Sequence, residues 1–134
     1  MPFETALSRF SPQLLSILRI VAGILFVEHG TSKLLGFPHV DMFDNLQILS
    51  PLGVAGILEL VGGALIVVGL FTRPTAFILS GEMAVAYFTA HAPRSFFPAL
   101  NQGDAAILFC FIFLYIAAAG PGPWSLDATL RRVE

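Results

Sequence analysis

Hydrophobic positions fall into four continuous apolar stretches, separated by short interruptions rich in proline, glycine and charge. The stretches run from about Ser11 to Leu35, from Pro51 to Phe71, from Pro74 to about His91, and from about Asp104 to Ala119. Each comes close to the roughly 20 residues that a helix needs to cross hydrocarbon. Their apolar character is unbroken rather than alternating, which predicts helices and argues against the strands of a β-barrel. Pro51 and Pro74 suit a first helical turn, and Gly120-Pro121-Gly122-Pro123 stops the last helix. The expected fold is all-α: an integral membrane bundle of four transmembrane helices, one domain over residues 1–134.

The polar interruptions carry their own pattern. In the first outer loop Val40, Phe43 and Leu46 recur at helical spacing opposite Asp41, Asp44 and Asn45, which predicts a short helix lying in the interface. Phe96 and Phe97 make the second outer loop aromatic enough to dip into the headgroups, and Trp124 is an interfacial anchor. Basic residues set the orientation. Arg9, Arg73, Arg131 and Arg132 fall on the side of the termini, against Lys33 and Arg94 on the other, so both termini are expected in the cytoplasm. The first span carries too many charges for a cleaved signal and no A-x-A site follows it, so it is read as retained.

Composition agrees with a lipid-facing surface. The chain is 56% hydrophobic and only 12% charged, with 13 phenylalanines and a mean hydropathy of +0.82. A soluble domain carries about a quarter of its residues charged. A net charge of −2 offers no basic footprint for nucleic acid. The single cysteine, Cys110, excludes an internal disulfide, a CxxC oxidoreductase and a thiolate zinc site within this chain, and is read as a packing residue.

Against that background the ionisable residues inside the spans stand out: Arg19, Glu28, His29 and Lys33 in the first, Glu59 in the second, Glu82 and His91 in the third, and Asp104 opening the fourth. Each charge costs about 2.5–3.5 kcal/mol near the bilayer centre, so these side chains should face one another or a wet cavity. Helical rise puts Glu82 roughly 12 Å and Arg19 roughly 10 Å from the inner end, a matching depth that predicts a structural ion pair. His29, Lys33, His91, Asn101, Gln102 and Asp104 gather toward the outer end, with Glu59 roughly 12 Å below it. Glu28 lies across the helix from the Arg19–Gly23–Gly30–Lys33 stripe, toward the outer loop or a subunit interface. No H-x-x-x-H or E-x-x-H spacing supports a metal site, and none is expected.

Several runs resemble the DoxX family of bacterial inner-membrane proteins. These are His29-Gly30-x-x-Lys33, Glu59 through Pro74, Gly81 through His91, Asn101-Gln-Gly-Asp104, and the ending Gly120-Pro-Gly-Pro-Trp-Ser-Leu-Asp127-Ala. Asp104 departs from the pattern, where glutamate is expected at least as often. The resemblance implies four helices in the bacterial inner membrane and a loose association with thiosulfate–quinone oxidoreduction and quinone stress.

On this reading the expected activity is that of a redox-associated subunit binding a quinone or a small sulfur compound in an outward-opening polar pocket. The expected ligand-binding residues are His29, Lys33, Glu59, His91 and Asp104. The chain lacks a flavin motif, a cysteine pair and bis-His haem spacing, so any electrons belong to a bound quinone or to redox partner proteins. If catalytic, it is an oxidoreductase subunit dependent on them. Two other readings stay open: a small proton-coupled transporter, and a non-catalytic scaffold or cargo-binding subunit. Four short helices bury a limited core, which leaves room for a homo-oligomer in each case.

Overall fold

Glycines set both the ends and the spacing of the first two long helices. The computed structural model describes residues 2–132; Met1, Val133 and Glu134, which belong to the expected cytoplasmic termini, lie outside the described residues. A short α1 (Pro2–Ser8) precedes α2 (Ser11–Leu35), and α3 spans Pro51–Val68. Gly36 and Gly69 end α2 and α3 in the left-handed conformation, with φ of 69° and 71°, where a side chain is strained. Ser50 caps the start of α3 by accepting the Gly53 N–H at 3.2 Å, with Pro51 in the first turn.

Between the caps the two helices run antiparallel along a glycine seam. A Cβ at Gly23 would stand 2.8 Å from Val67 N, and one at Gly30 only 2.5 Å from Leu60 N. Backbone therefore meets backbone, the close approach that small residues permit in membrane helix pairs.

The second half forms a matching pair. α4 (Thr72–Ala86) is prolonged by a π-turn over Tyr87–His91 and a 3₁₀ turn over Ala92–Arg94. The short α5 (Pro98–Asn101) leads into α6 (Asp104–Ala119), and α7 (Leu126–Arg131) closes the described chain. α4 and α6 are also antiparallel: Arg73 reaches the carbonyls of Ala117 and Ala118, while Ser80 Oγ donates to Cys110 O at 2.7 Å. Phe26 of α2 joins the two pairs, packing edge-on against Phe113 and Phe109 with ring centroids 4.6 and 5.0 Å away. Ile66, Leu79 and Ile116 complete the centre.

The described residues are helical with no strand, and α2 and α3 are long and apolar enough to cross a membrane. Only 33% of the most apolar window of each is buried, unlike a core helix of a water-soluble protein. Ile24, Val61, Phe77, Val85 and Phe111 are more than half exposed, whereas Arg19, Glu59, Thr72 and Asn101 are buried.

The predicted helix of the first loop is a single 3₁₀ turn, Asp41–Phe43. Its backbone bonds close i to i+3, Phe43 N–H to Val40 O and Leu46 N–H to Phe43 O. Asp44 and Asp41 engage the His39 ring, at 2.6 and 3.4 Å.

Candidate functional site

The glycine seam delivers Lys33 to Glu59. Beyond Gly30, the next turn of α2 places Lys33 over Gly56, where an added Cβ would lie 3.1 Å from Lys33 Cβ. Glu59, three residues further along α3, shares that face. Lys33 Nζ lies 2.6 Å from Glu59 Oε1 and 2.7 Å from Oε2, with the side chains 11% and 4% exposed. An ammonium has three N–H groups. Two go to the carboxylate, and one remains for a further acceptor. The Phe43 ring lies 5.7 Å from Nζ.

A cavity of about 420 Å³ opens on one side of this pair, lined by Lys33, Glu59, His29, His91, Arg94 and Gln102 together with Phe26, Phe43 and Phe109. Both imidazoles are oriented by backbone. His29 Nδ1 lies 2.8 Å from Leu25 O, and His91 Nδ1 lies 2.9 Å from Asn101 O. A carbonyl only accepts, so each Nδ1 carries a hydrogen, and Nε2 is the ring nitrogen left for a ligand.

His91 owes its place to the π-turn, a widening of the helix often found at functional positions. Tyr87 and His91 do not bond each other; their rings stack at 6.3 Å. Buried Asn101 ties the region together, donating Nδ2–H to Tyr87 Oη at 3.2 Å and to Ser95 O at 3.0 Å, and accepting the Gly103 N–H at 2.8 Å.

Of the expected binding residues, His29, Lys33, Glu59 and His91 converge on this cavity. Asp104 does not line it; exposed in the first turn of α6, it complements the helix dipole. Gln102, expected by depth among the outer-end polar residues, lines the cavity as well, from a left-handed backbone position; Arg94 was not foreseen, because the 3₁₀ turn that brings it in has no periodic signature. Glu28 is exposed on α2. Among the described residues the side chains with metal-ligand spacing are His39, Asp41 and Asp44, all exposed and already engaged with one another.

The expected Arg19–Glu82 ion pair is not formed. Arg19 is fully buried and spends its guanidinium on carbonyls: Nε donates to Ile66 O at 2.9 Å, and the terminal nitrogens reach Val67 O at 3.4 Å, Trp124 O at 2.7 Å and Pro121 O. Matching depth was the wrong criterion. The antiparallel seam sets Arg19 beside the C-terminal end of α3, whose last carbonyls carry the negative end of the dipole and have lone pairs left for a side-chain donor.

Glu82 instead lines a second hollow of about 550 Å³, a groove between α3 and α4 that shares the Lys33–Glu59 wall. Both Glu82 carboxyl oxygens are buried without a hydrogen-bond partner.

At the opposite end, Asp127 accepts the N–H groups of Phe71 at 3.0 Å and Thr72 at 2.9 Å, capping α4 from a distant segment. Burial by itself pushes the Asp127 carboxyl up, but these bonds and the charge of Arg131 outweigh it and hold the carboxyl below its usual range.

An apolar exterior around buried charge, on helices of this length, defines an α-helical membrane protein. The DoxX family model matches residues 14–92, and the chain belongs to the DoxX family. It is 45% identical over 125 residues to an uncharacterized protein of Haemophilus influenzae, covering 90% of this chain and 93% of the relative. It is 29% identical to inner membrane protein YqjF of Escherichia coli, over 87% of this chain and 91% of that one. A Bacillus subtilis protein named "Putative oxidoreductase CatD" is 26% identical over 83% of this chain and 82% of its own length. No solved structure matches the chain significantly.

Proposed function

We propose that this chain is a four-span subunit of the bacterial inner membrane that binds a small redox-active molecule rich in acceptor oxygens, a quinone head or a small sulfur compound, in the cavity beside Lys33 and Glu59. The observation that carries this reading is the Lys33 ammonium with one N–H to spare, at a cavity also walled by His29, His91 and Arg94. The ammonium and Arg94 offer donors to carbonyl or sulfur-oxyanion oxygens, and each imidazole Nε2 is placed to take up or return a proton. The oxidoreductase name of the Bacillus subtilis relative and the inner-membrane name of the Escherichia coli relative point the same way. Electrons come with the bound molecule or from a partner protein.

Four spans in one domain are supported by α4 and its π-turn, which together run 20 residues from Thr72 to His91, and by the apolar exterior of α6. Cytoplasmic termini follow from Arg9, Arg73, Arg131 and Arg132 on one side. Of the two basic residues on the other, Lys33 is engaged by Glu59.

The test is titration of the purified protein in nanodiscs with a short-chain quinone and with thiosulfate. At least one is expected to bind, with affinity falling about tenfold or more when Lys33 is changed to Met in a Glu59→Gln background, which leaves no stranded charge. Binding of neither probe, or equal binding by the double variant, overturns the reading.

A further inference from the structure

We infer that the groove between α3 and α4 is a second binding site, entered from the side of the bundle, for an uncharged amphipathic molecule whose head carries a hydroxyl group, of the alkylphenol class. The site is distinct from the cavity of His29 and His91: it lies across the Lys33–Glu59 pair, and its volume is about 550 Å³, within the range of small-molecule pockets.

The head group is defined by unmet hydrogen bonds. Glu82 presents two buried oxygens with no donor, and buried polar groups in native proteins are nearly always satisfied. Glu59 cannot serve as that donor while both its oxygens receive Lys33. A ligand hydroxyl can donate to Glu82 and supply the hydrogen bond that the fold does not. Charge narrows the class. Two carboxyl groups against one ammonium leave no net positive field, so an anionic head is repelled. A cationic head would bring a second ammonium beside Lys33 and carry a desolvation cost at this depth. A neutral hydroxyl avoids both penalties.

The tail is defined by the walls. Val54, Leu58, Ile78 and Val85 line the groove, and Val54, Ile78 and Val85 are also broadly exposed on the outer surface of the bundle. The groove thus continues into the apolar exterior, the route by which a chain dissolved in lipid would enter.

The experiment is equilibrium binding of 4-decylphenol and of its methyl ether, which lacks the donor, to the full chain in phosphatidylcholine nanodiscs, each corrected against empty discs. The phenol is expected to bind about tenfold or more tightly than the ether. Glu82→Leu should erase that preference. Ala55→Phe, which fills only the groove, should weaken phenol binding while leaving quinone or thiosulfate binding in the neighbouring cavity unchanged, so the two sites fail or succeed separately. Equal affinity for phenol and ether, a preference that survives Glu82→Leu, phenol binding unaffected by Ala55→Phe, or tighter binding of decylammonium than of the phenol would each overturn the inference.

Discussion

Lys33 Nζ closes both oxygens of the Glu59 carboxylate, at 2.6 and 2.7 Å, and the pair forms the wall between two hollows of different chemistry. On one side lie imidazoles and a guanidinium, on the other a carboxyl group without a donor. The contact is made by residues 26 positions apart and depends on two helix backbones approaching through glycine.

Removing one member of the pair should cost far more than removing both. Lys33→Met strands the Glu59 charge and is expected to destabilise the fold by about 3–5 kcal/mol, whereas Lys33→Met with Glu59→Leu should recover most of that loss. Thermal unfolding in detergent compares the two; equal melting temperatures would show that the charges are not coupled.

Glycine substitutions should separate a packed seam from an open surface. Gly30→Ala forces a Cβ to 2.5 Å from Leu60 N, whereas a Cβ added at Gly81 meets nothing within 4 Å. The first change should push α2 from α3, with a penalty of about 1–3 kcal/mol or more, and weaken ligand binding at Lys33. Gly81→Ala should be neutral or stabilising by up to about 1 kcal/mol, through helix propensity alone. Unfolding curves of both variants decide it.

Arg19→Lys is expected to behave as a severe change. A lysine has one nitrogen where the guanidinium reaches four carbonyls across α3 and the 121–124 segment. A loss of about 3 kcal/mol or more is expected from unsatisfied buried carbonyls. Glu82→Gln should leave this end of the molecule intact, because Glu82 is not the partner of Arg19; limited proteolysis near Trp124 distinguishes the two variants.

Asp127 should make stability fall in acid. Its folded carboxyl is held below the usual value, so it binds a proton less readily folded than unfolded. The resulting stabilisation is fully present above the unfolded value of about 3.9 and is lost as pH falls below that toward the folded value. In Asp127→Asn this part of the acid slope should vanish, while stability near neutral pH drops through a weaker cap on α4. Chemical unfolding between about pH 3 and 6 reads both effects.

Much of the architecture was legible because hydrophobic runs and glycine–proline stops are local signals. The starts of α2, α3 and α6 and the end of α6 fall where the pattern put them. His29, Lys33, Glu59 and His91 were legible as a group because intramembrane charge is costly and must find company. Gln102 was legible as one of the outer-end polar residues, but Arg94 was not, since an irregular turn places it. Arg19 was assigned the wrong partner because depth along a helix says nothing about which carbonyls a neighbouring helix end leaves open.

The sequence by itself determined that the chain is helical, that its surface suits lipid and that several charges must be hidden, because hydropathy and charge act residue by residue. Tertiary structure alone decided which charge meets which. The glycine seam sets the offset of α2 against α3, and that offset gives Lys33 to Glu59, gives Arg19 to the end of α3, and leaves Glu82 facing a groove. Pairing depends on the packing geometry between helices, a property of two surfaces that no single stretch of sequence contains.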